Sequence, residues 1–251
     1  MKVTTPVKQP ALPARRFPAR SAFTLIELLV VIAIIGILAA IAMPVYKNAM
    51  VSAHETAAMN NARQIMLALR LYANDHNGVY PSYTLQNGQS TTTTVANSNE
   101  AFAQLFPTYI NTEATFWLAR SAFCSPNPPN EKKDNPPVDP PVLTLASGQN
   151  EWAYVLGLSD ASDPSLPILA DGFASAQLHT YSKDSSQKGG VWQAEKAIIA
   201  HADGSTSILP VDPTSLTVIG PNGGDTNGDI FTTANGANGW LGTGNVVVNP
   251  D

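Results

Sequence analysis

The alternation of apolar and polar positions divides the chain into an apolar run, an amphipathic stretch and a mixed remainder. The apolar run extends from Phe23 to Val45, which is long enough to cross a bilayer as a helix of about 20 residues. Residues 46–77 then show apolar side chains at helical spacing, at Val51, Ala58, Ala62, Ile65, Leu69, Tyr72 and Ala73. This spacing predicts that the helix continues and packs one face on a core.

The end of this helix is predicted at Asn77-Gly78, because both residues tolerate the left-handed conformation and Pro81 blocks continuation. Residues 78–251 form the predicted head. Strands are predicted there at 152–156, 166–170, 196–202 and 205–209, the last two joined by an Asp203-Gly204 turn. We therefore predict an α+β fold, with a long N-terminal transmembrane and amphipathic helix packed on a small antiparallel β-sheet.

Two segments of the head are predicted as loops. Residues 84–99 are rich in Ser, Thr, Asn and Gln, and residues 125–141 contain seven prolines. Proline cannot donate to a strand ladder, so the second segment is excluded from a central strand. A short helical or mixed piece is expected between them, at 100–123.

Charge is distributed unevenly. Residues 1–22 carry five basic and no acidic side chains, whereas the remainder carries 9 basic and 19 acidic side chains. An acidic body argues against nucleic acid as a partner, since phosphate recognition needs clustered Lys and Arg. A basic leader before an apolar run is typical of membrane insertion with the basic side in the cytoplasm. The single cysteine, Cys124, excludes an internal disulfide framework.

Glu27 stands near the start of the apolar run, where an acidic side chain is costly unless it has a partner. Two ordinary interpretations of the run remain open. One is a secretory signal peptide with a small-residue cleavage site at 40–42, although the run is longer than such peptides need. The other is a plain single-span anchor in which the acid is incidental.

The hexapeptide Ala22-Phe23-Thr24-Leu25-Ile26-Glu27 after the basic leader resembles the processing site of type IV prepilins and type II secretion pseudopilins. The resemblance implies that prepilin peptidase cleaves between Ala22 and Phe23, methylates the new amine of Phe23 and leaves 229 residues. Ala22 stands where the family usually has Gly. Gly36 and Pro44 match positions that bracket a segment which often loses helicity when pilins assemble, and Pro44 removes one helix hydrogen bond.

A role for Glu27 in assembly follows from this processing. The cationic amine of Phe23 in one subunit can pair with Glu27 of its neighbour, which neutralises both charges inside the apolar layer. Burying either charge alone is costly, so incorrect registers between subunits are penalised.

The stretch around Asn77-Gly78-Val79-Tyr80-Pro81 resembles the helix exit of major secretion pseudopilins. The resemblance implies a pseudopilin of a type II secretion pseudopilus, which supports protein export. Its implied partners are prepilin peptidase, other pilin or pseudopilin subunits and the assembly platform protein of the inner membrane. The implied location is a bacterial inner membrane with the head in the periplasm. A type IV pilus subunit, major or minor, carries the same N-terminal signals and remains an alternative.

No catalytic residue is predicted. His201, Asp203 and Ser205 lie close in sequence, but Asp203 belongs to the predicted turn and the Gly-x-Ser-x-Gly elbow of hydrolases is missing. The chain is instead expected to be a substrate of the peptidase, with no cofactor required for its function.

Asp225, Asn227 and Asp229 are candidate ligands for a structural Ca²⁺ ion. These oxygen-bearing side chains alternate as in the opening of many calcium loops, although Ile230 and the missing twelfth-position Glu exclude an EF-hand. Major secretion pseudopilins carry a late Gly/Asp-rich calcium loop, which this segment resembles. An ordinary surface turn explains the same residues equally well.

An alternative to a filament subunit is a membrane-anchored binding protein that uses the prepilin export route. Its support is three tryptophans, Trp152, Trp192 and Trp240, which are expected to be exposed near the Thr-rich segment.

Overall fold

The computed structural model describes residues 24–86, 89–129, 144–220, 228–232 and 240–251, without the side chains of residues 85–92. The chain divides into two compact units at Ala49 and Met50. Helix α1 extends over Leu25–Asp75 and contributes to both units. The predicted α+β fold is confirmed by this long helix and by a five-stranded antiparallel sheet.

The second unit contains the remaining elements. Strands β1 (Tyr83–Gln86) and β2 (Gln89–Thr94) form a hairpin, followed by helix α2 (Ser98–Ala103) and a 3₁₀ turn at Glu113–Thr115. The main sheet comprises β3 (Trp152–Leu156), β4 (Pro167–Asp171), β5 (Lys196–His201), β6 (Thr206–Pro210) and β7 (Val246–Val248). Its strand order is β6-β5-β4-β3-β7, and all four pairs are antiparallel.

The second half of α1 and the sheet share one hydrophobic core. The buried face of the helix consists of small and apolar side chains at the predicted spacing: Ala58, Ala62, Ile65, Met66, Ala68, Leu69, Tyr72 and Ala73. Two polar contacts connect this face to the sheet. Glu55 pairs with Lys196 of β5, and Arg70 Nη2 donates to the Ala202 carbonyl at 2.8 Å.

The helix ends two residues before the predicted Asn77-Gly78 exit. Asn77 and Gly78 both have positive φ, at 55° and 80°, and the Gly78 N–H donates to the Ala73 carbonyl at 2.7 Å. This left-handed exit satisfies a carbonyl that the helix leaves free. The positive φ of Gly78 favours glycine there, and a Cβ at position 78 would also stand 2.4 Å from Asp160 Oδ1 and displace that side chain.

One predicted loop is replaced by regular structure. Residues 84–99, predicted as an exposed loop, include most of the β1–β2 hairpin and the beginning of α2. The threonines that suggested a polar loop are β-branched and fit an extended strand well. Helix α2 is capped by Asn97, whose side chain accepts from the Glu100 N–H at 2.9 Å. Of the predicted loop at 125–141, residues 130–141 lie outside the described residues.

Candidate functional site

The first half of α1 presents a continuous apolar surface. Every residue from Thr24 to Met50 is exposed within the chain, and the exposed fraction of Leu25 reaches 88%. This helix is long and apolar enough to cross a membrane. Exposed apolar surface of this extent is unfavourable in water and has to be covered by lipid or by other protein.

The N-terminus of α1 is closed by a reciprocal capping box between Thr24 and Glu27. Glu27 Oε2 accepts from the Thr24 N–H at 2.9 Å and from the Thr24 hydroxyl at 2.8 Å. In return, the Glu27 N–H donates to the Thr24 hydroxyl at 3.2 Å. The pattern satisfies two N–H groups that a helix start leaves free. It also orients the Glu27 carboxylate toward the helix start, which is the end that cleavage before Phe23 would expose.

The structure describes only some of the residues predicted to take part in peptidase cleavage and filament assembly. Ala22 and Phe23 lie outside the described residues. Gly36 and Pro44 both lie within α1, and a Cβ at position 36 would meet no heavy atom within 4 Å. The predicted loss of helicity between these two residues concerns an assembled filament, so it stays a prediction.

A family described as prokaryotic N-terminal methylation motif matches residues 18–43. The matched segment contains the predicted cleavage position and Glu27. No curated protein and no solved structure matches the chain significantly.

The methylation motif indicates a type IV pilin-like protein that is processed as a prepilin. It implies processing by prepilin peptidase and assembly with other pilin subunits. The N-terminal apolar helix fits a single-pass membrane anchor for such a protein. Pilin-like proteins with this motif have a structural role rather than an enzymatic one.

His201 and Asp203, which lie close in sequence to Ser205 as in a possible hydrolase site, each have their own structural partners. His201 Nδ1 lies 2.9 Å from the Ser165 carbonyl, and Nε2 lies 3.1 Å from the Ser207 hydroxyl. Asp203 Oδ1 accepts from the Ser205 N–H at 2.7 Å within the β5–β6 turn. The histidine therefore joins the hairpin to a neighbouring loop, and Asp203 shapes the turn as predicted.

Of the three calcium candidates, Asp225 and Asn227 lie outside the described residues. Asp229 is described and uses both carboxylate oxygens. Oδ2 lies 2.6 Å from His179 Nδ1, and Oδ1 accepts from the Phe231 N–H at 3.0 Å. Across the described residues no three His, Cys, Asp or Glu side chains form a metal-binding group, and the calcium site stays a prediction.

The expected exposure of the tryptophans is wrong for two of the three. Trp152 is 0% exposed and Trp192 is 5% exposed. Trp152 lies in β3, which is an inner strand of the sheet, and Trp192 Nε1 donates to Asp171 Oδ2 at 2.9 Å. Trp240 is half-buried and packs against the core. The tryptophans therefore belong to the interior, which removes the main support for a binding surface.

One ion pair and two buried acids were not predicted. His179 and Asp229 are separated by 50 residues, and the His179 ring packs against the rings of Phe173 and Phe231. Glu151, just before β3, and Asp171, at the end of β4, are both fully buried. The only signal in the sequence is an acidic residue beside each of two apolar strands, which gives no indication of which acids face inward.

Proposed function

We propose that this chain is a pseudopilin, a structural subunit of a type II secretion pseudopilus that supports protein export. The observation that carries the proposal is the methylation motif on the exposed, apolar first half of α1, with Glu27 at its start. The helix exit at Asn77-Gly78 supports the pseudopilin assignment, because it lies in the segment whose sequence resembles the helix exit of major secretion pseudopilins.

In this proposal the peptidase cleaves before Phe23, and the methylated amine of Phe23 pairs with Glu27 of a neighbouring subunit. Glu27 is suited to this role because both Thr24 bonds reach the same carboxylate oxygen, Oε2. Among the described residues Oε1 has no hydrogen-bond donor, so it can accept from the incoming amine. The helix is then covered by lipid before assembly and by other helices after it, while the head remains on the periplasmic side.

Deletion of the gene followed by complementation tests this proposal. We expect secreted enzymes to be retained in the periplasm of the deletion strain, while sheared surface filaments keep their normal amount. Wild-type chain should restore export, and so should Glu195→Gln, which changes an exposed acid of the head. Loss of surface filaments with normal export would overturn the pseudopilin assignment in favour of a type IV pilus subunit. Normal export and normal filaments would favour the membrane-anchored binding protein.

A further inference from the structure

A cleft of about 370 Å³ borders the C-terminal end of α1 in the second unit. Its lining includes the aromatic side chains of Tyr72, His76, Tyr80 and Tyr83 and the carboxylate of Asp75. The rings of Tyr72 and His76 stack in parallel, with centroids 3.8 Å apart, and Tyr83 is 45% exposed. A concave surface of this size, with ring walls and a few polar groups, is typical of a binding site. We call it the Asp75 cleft.

Asp75 carries a negative charge that no cation of its own chain neutralises. The Tyr109 hydroxyl donates to Oδ2 at 3.0 Å, and Asn74 Nδ2 donates to Oδ1 at 3.2 Å. These two donors leave further lone pairs of the carboxylate free, since each oxygen accepts about two hydrogen bonds. Both ion pairs found in the described part of the chain involve other acids. Asp75 can therefore accept from an incoming cationic donor.

The end of α1 adds acceptors and negative potential beside this carboxylate. The carbonyls at a helix C-terminus carry roughly half a negative charge in total and favour a cation, but the last turn of α1 has no base. No donor from the described residues reaches the carbonyls of Asn74 and Asp75. His76 Nδ1 lies 2.8 Å from the Tyr72 carbonyl, so Nδ1 carries the hydrogen and Nε2 is an acceptor in the neutral ring. The Asp75 cleft is therefore suited to a cation.

Arg120 is an exposed base whose side chain has no hydrogen bond, ion pair or ring contact with any described residue. Its φ of 77° is left-handed, which is uncommon for residues other than Gly, Asn and Asp. Every other Lys or Arg described in the second unit has a contact within the chain: Arg63 with Asn60, Arg70 with Ala202, Lys183 with Pro213, Lys188 with Phe123 and Lys196 with Glu55. Arg120 is therefore available to an acid of another molecule.

Arg120 and the Asp75 cleft lie at different levels along α1. The carbonyl of Trp117, three residues before Arg120, lies 3.5 Å from Asn61 Nδ2. Asn61 precedes Asp75 by about four helical turns, a rise of roughly 21 Å along the axis. A contact between Arg120 of one copy and the cleft of another therefore joins two different surfaces. Such a heterologous contact can repeat from copy to copy in an open assembly.

We propose that Arg120 of one subunit inserts its guanidinium into the Asp75 cleft of a second copy of this chain, and that this contact sets the spacing of the heads. The inference rests on the proposed assembly of the chain into a filament. A guanidinium is planar, so it can donate to the Asp75 carboxylate and stack on the rings of the cleft, which an ammonium group does less well. Each subunit then gives one such contact to a neighbour and receives one from another.

Charge exchange followed by chemical cross-linking in membranes tests this contact in the full-length chain. We expect Asp75→Arg and Arg120→Asp each to lower the cross-linked fraction about tenfold, because like charges then face each other, and the double variant to restore it. Arginine suits a helix C-terminus and aspartate tolerates a left-handed φ, so both substitutions are compatible with the fold. Glu195→Arg, at an exposed acid of the head, is the control and should have no effect. Single variants at the wild-type level, or a double variant as low as the single ones, would overturn the proposal.

Thiol cross-linking gives a second measurement that does not depend on charge. In a Cys124→Ser background, Asp75→Cys combined with Arg120→Cys should yield a ladder of oligomers with a short bis-maleimide, whereas Asp75→Cys combined with Glu195→Cys should not. Wild-type oligomers without this ladder would overturn the Arg120 contact and leave filament assembly intact. Absence of oligomers from the wild type would overturn filament assembly itself, and this contact with it.

Discussion

Glu27→Gln is expected to abolish filament assembly while leaving membrane insertion and processing intact. The substitution preserves the size of the side chain and can still accept from Thr24, so the helix start is retained. It removes the charge that would neutralise the amine of a neighbouring subunit. Leaving one partner of a buried ion pair uncompensated costs about 3–5 kcal/mol, which lowers the association constant about 10²- to 4 × 10³-fold per contact.

Chemical cross-linking in membranes, followed by quantification of oligomers, measures this effect. Glu195→Gln is the matched control, because it makes the same chemical change at an exposed position of the head. Oligomers of Glu27→Gln at wild-type abundance would show that the carboxylate does not set the contact between subunits.

Phe102→Ala is expected to destabilise the head by about 3–5 kcal/mol, the range observed for removal of a buried aromatic ring. Phe102 is 0% exposed, and its ring centroid lies 5.1 Å from those of both Phe116 and Tyr154. Alanine is the better helix former by less than about 1 kcal/mol. That gain in α2 is too small to offset the cavity left between the helix and the sheet.

Denaturant unfolding of the full chain in detergent gives the comparison. Leu178→Ala removes a side chain that is 67% exposed and should change the free energy of unfolding by less than about 0.5 kcal/mol. Similar values for Phe102→Ala and Leu178→Ala would mean that the ring cluster does not stabilise the head.

Local patterns in the sequence predict much of this fold. The apolar spacing of α1 identifies the buried face from Ala58 to Ala73, because a helix places residues three and four apart on one side. The predicted strand at 152–156 coincides with β3, the predicted strand at 196–202 is one residue longer than β5, and the predicted strands at 166–170 and 205–209 lie one residue earlier than β4 and β6. Each of these elements is marked by apolar or β-branched residues next to a turn or helix-exit signal.

The remaining features depend on contacts between distant segments. Trp192 lies in the core and donates its indole N–H to Asp171, 21 residues earlier, and no local pattern contains that contact. The β1–β2 hairpin resembles a polar loop in composition, since its strands present many Ser, Thr and Gln side chains. His179 and Asp229 are 50 residues apart, so their contact exists only in the folded chain.

The predicted assembly site is local in sequence, which is why it could be recognised there. Thr24 and Glu27 are three residues apart, and the structure adds the capping box that orients the carboxylate toward the helix start. The burial of Glu151 and Asp171, by contrast, depends on how β3 and β4 pack in the sheet, which no local pattern contains.

Intact mass combined with N-terminal sequencing of the protein from native membranes tests the central claim most directly. The prepilin-type motif predicts a chain of 229 residues that begins at methylated Phe23. A chain that begins at Met1 would show an unprocessed anchor. A chain that begins near Met43 would show cleavage by signal peptidase, and either result would contradict processing as a prepilin.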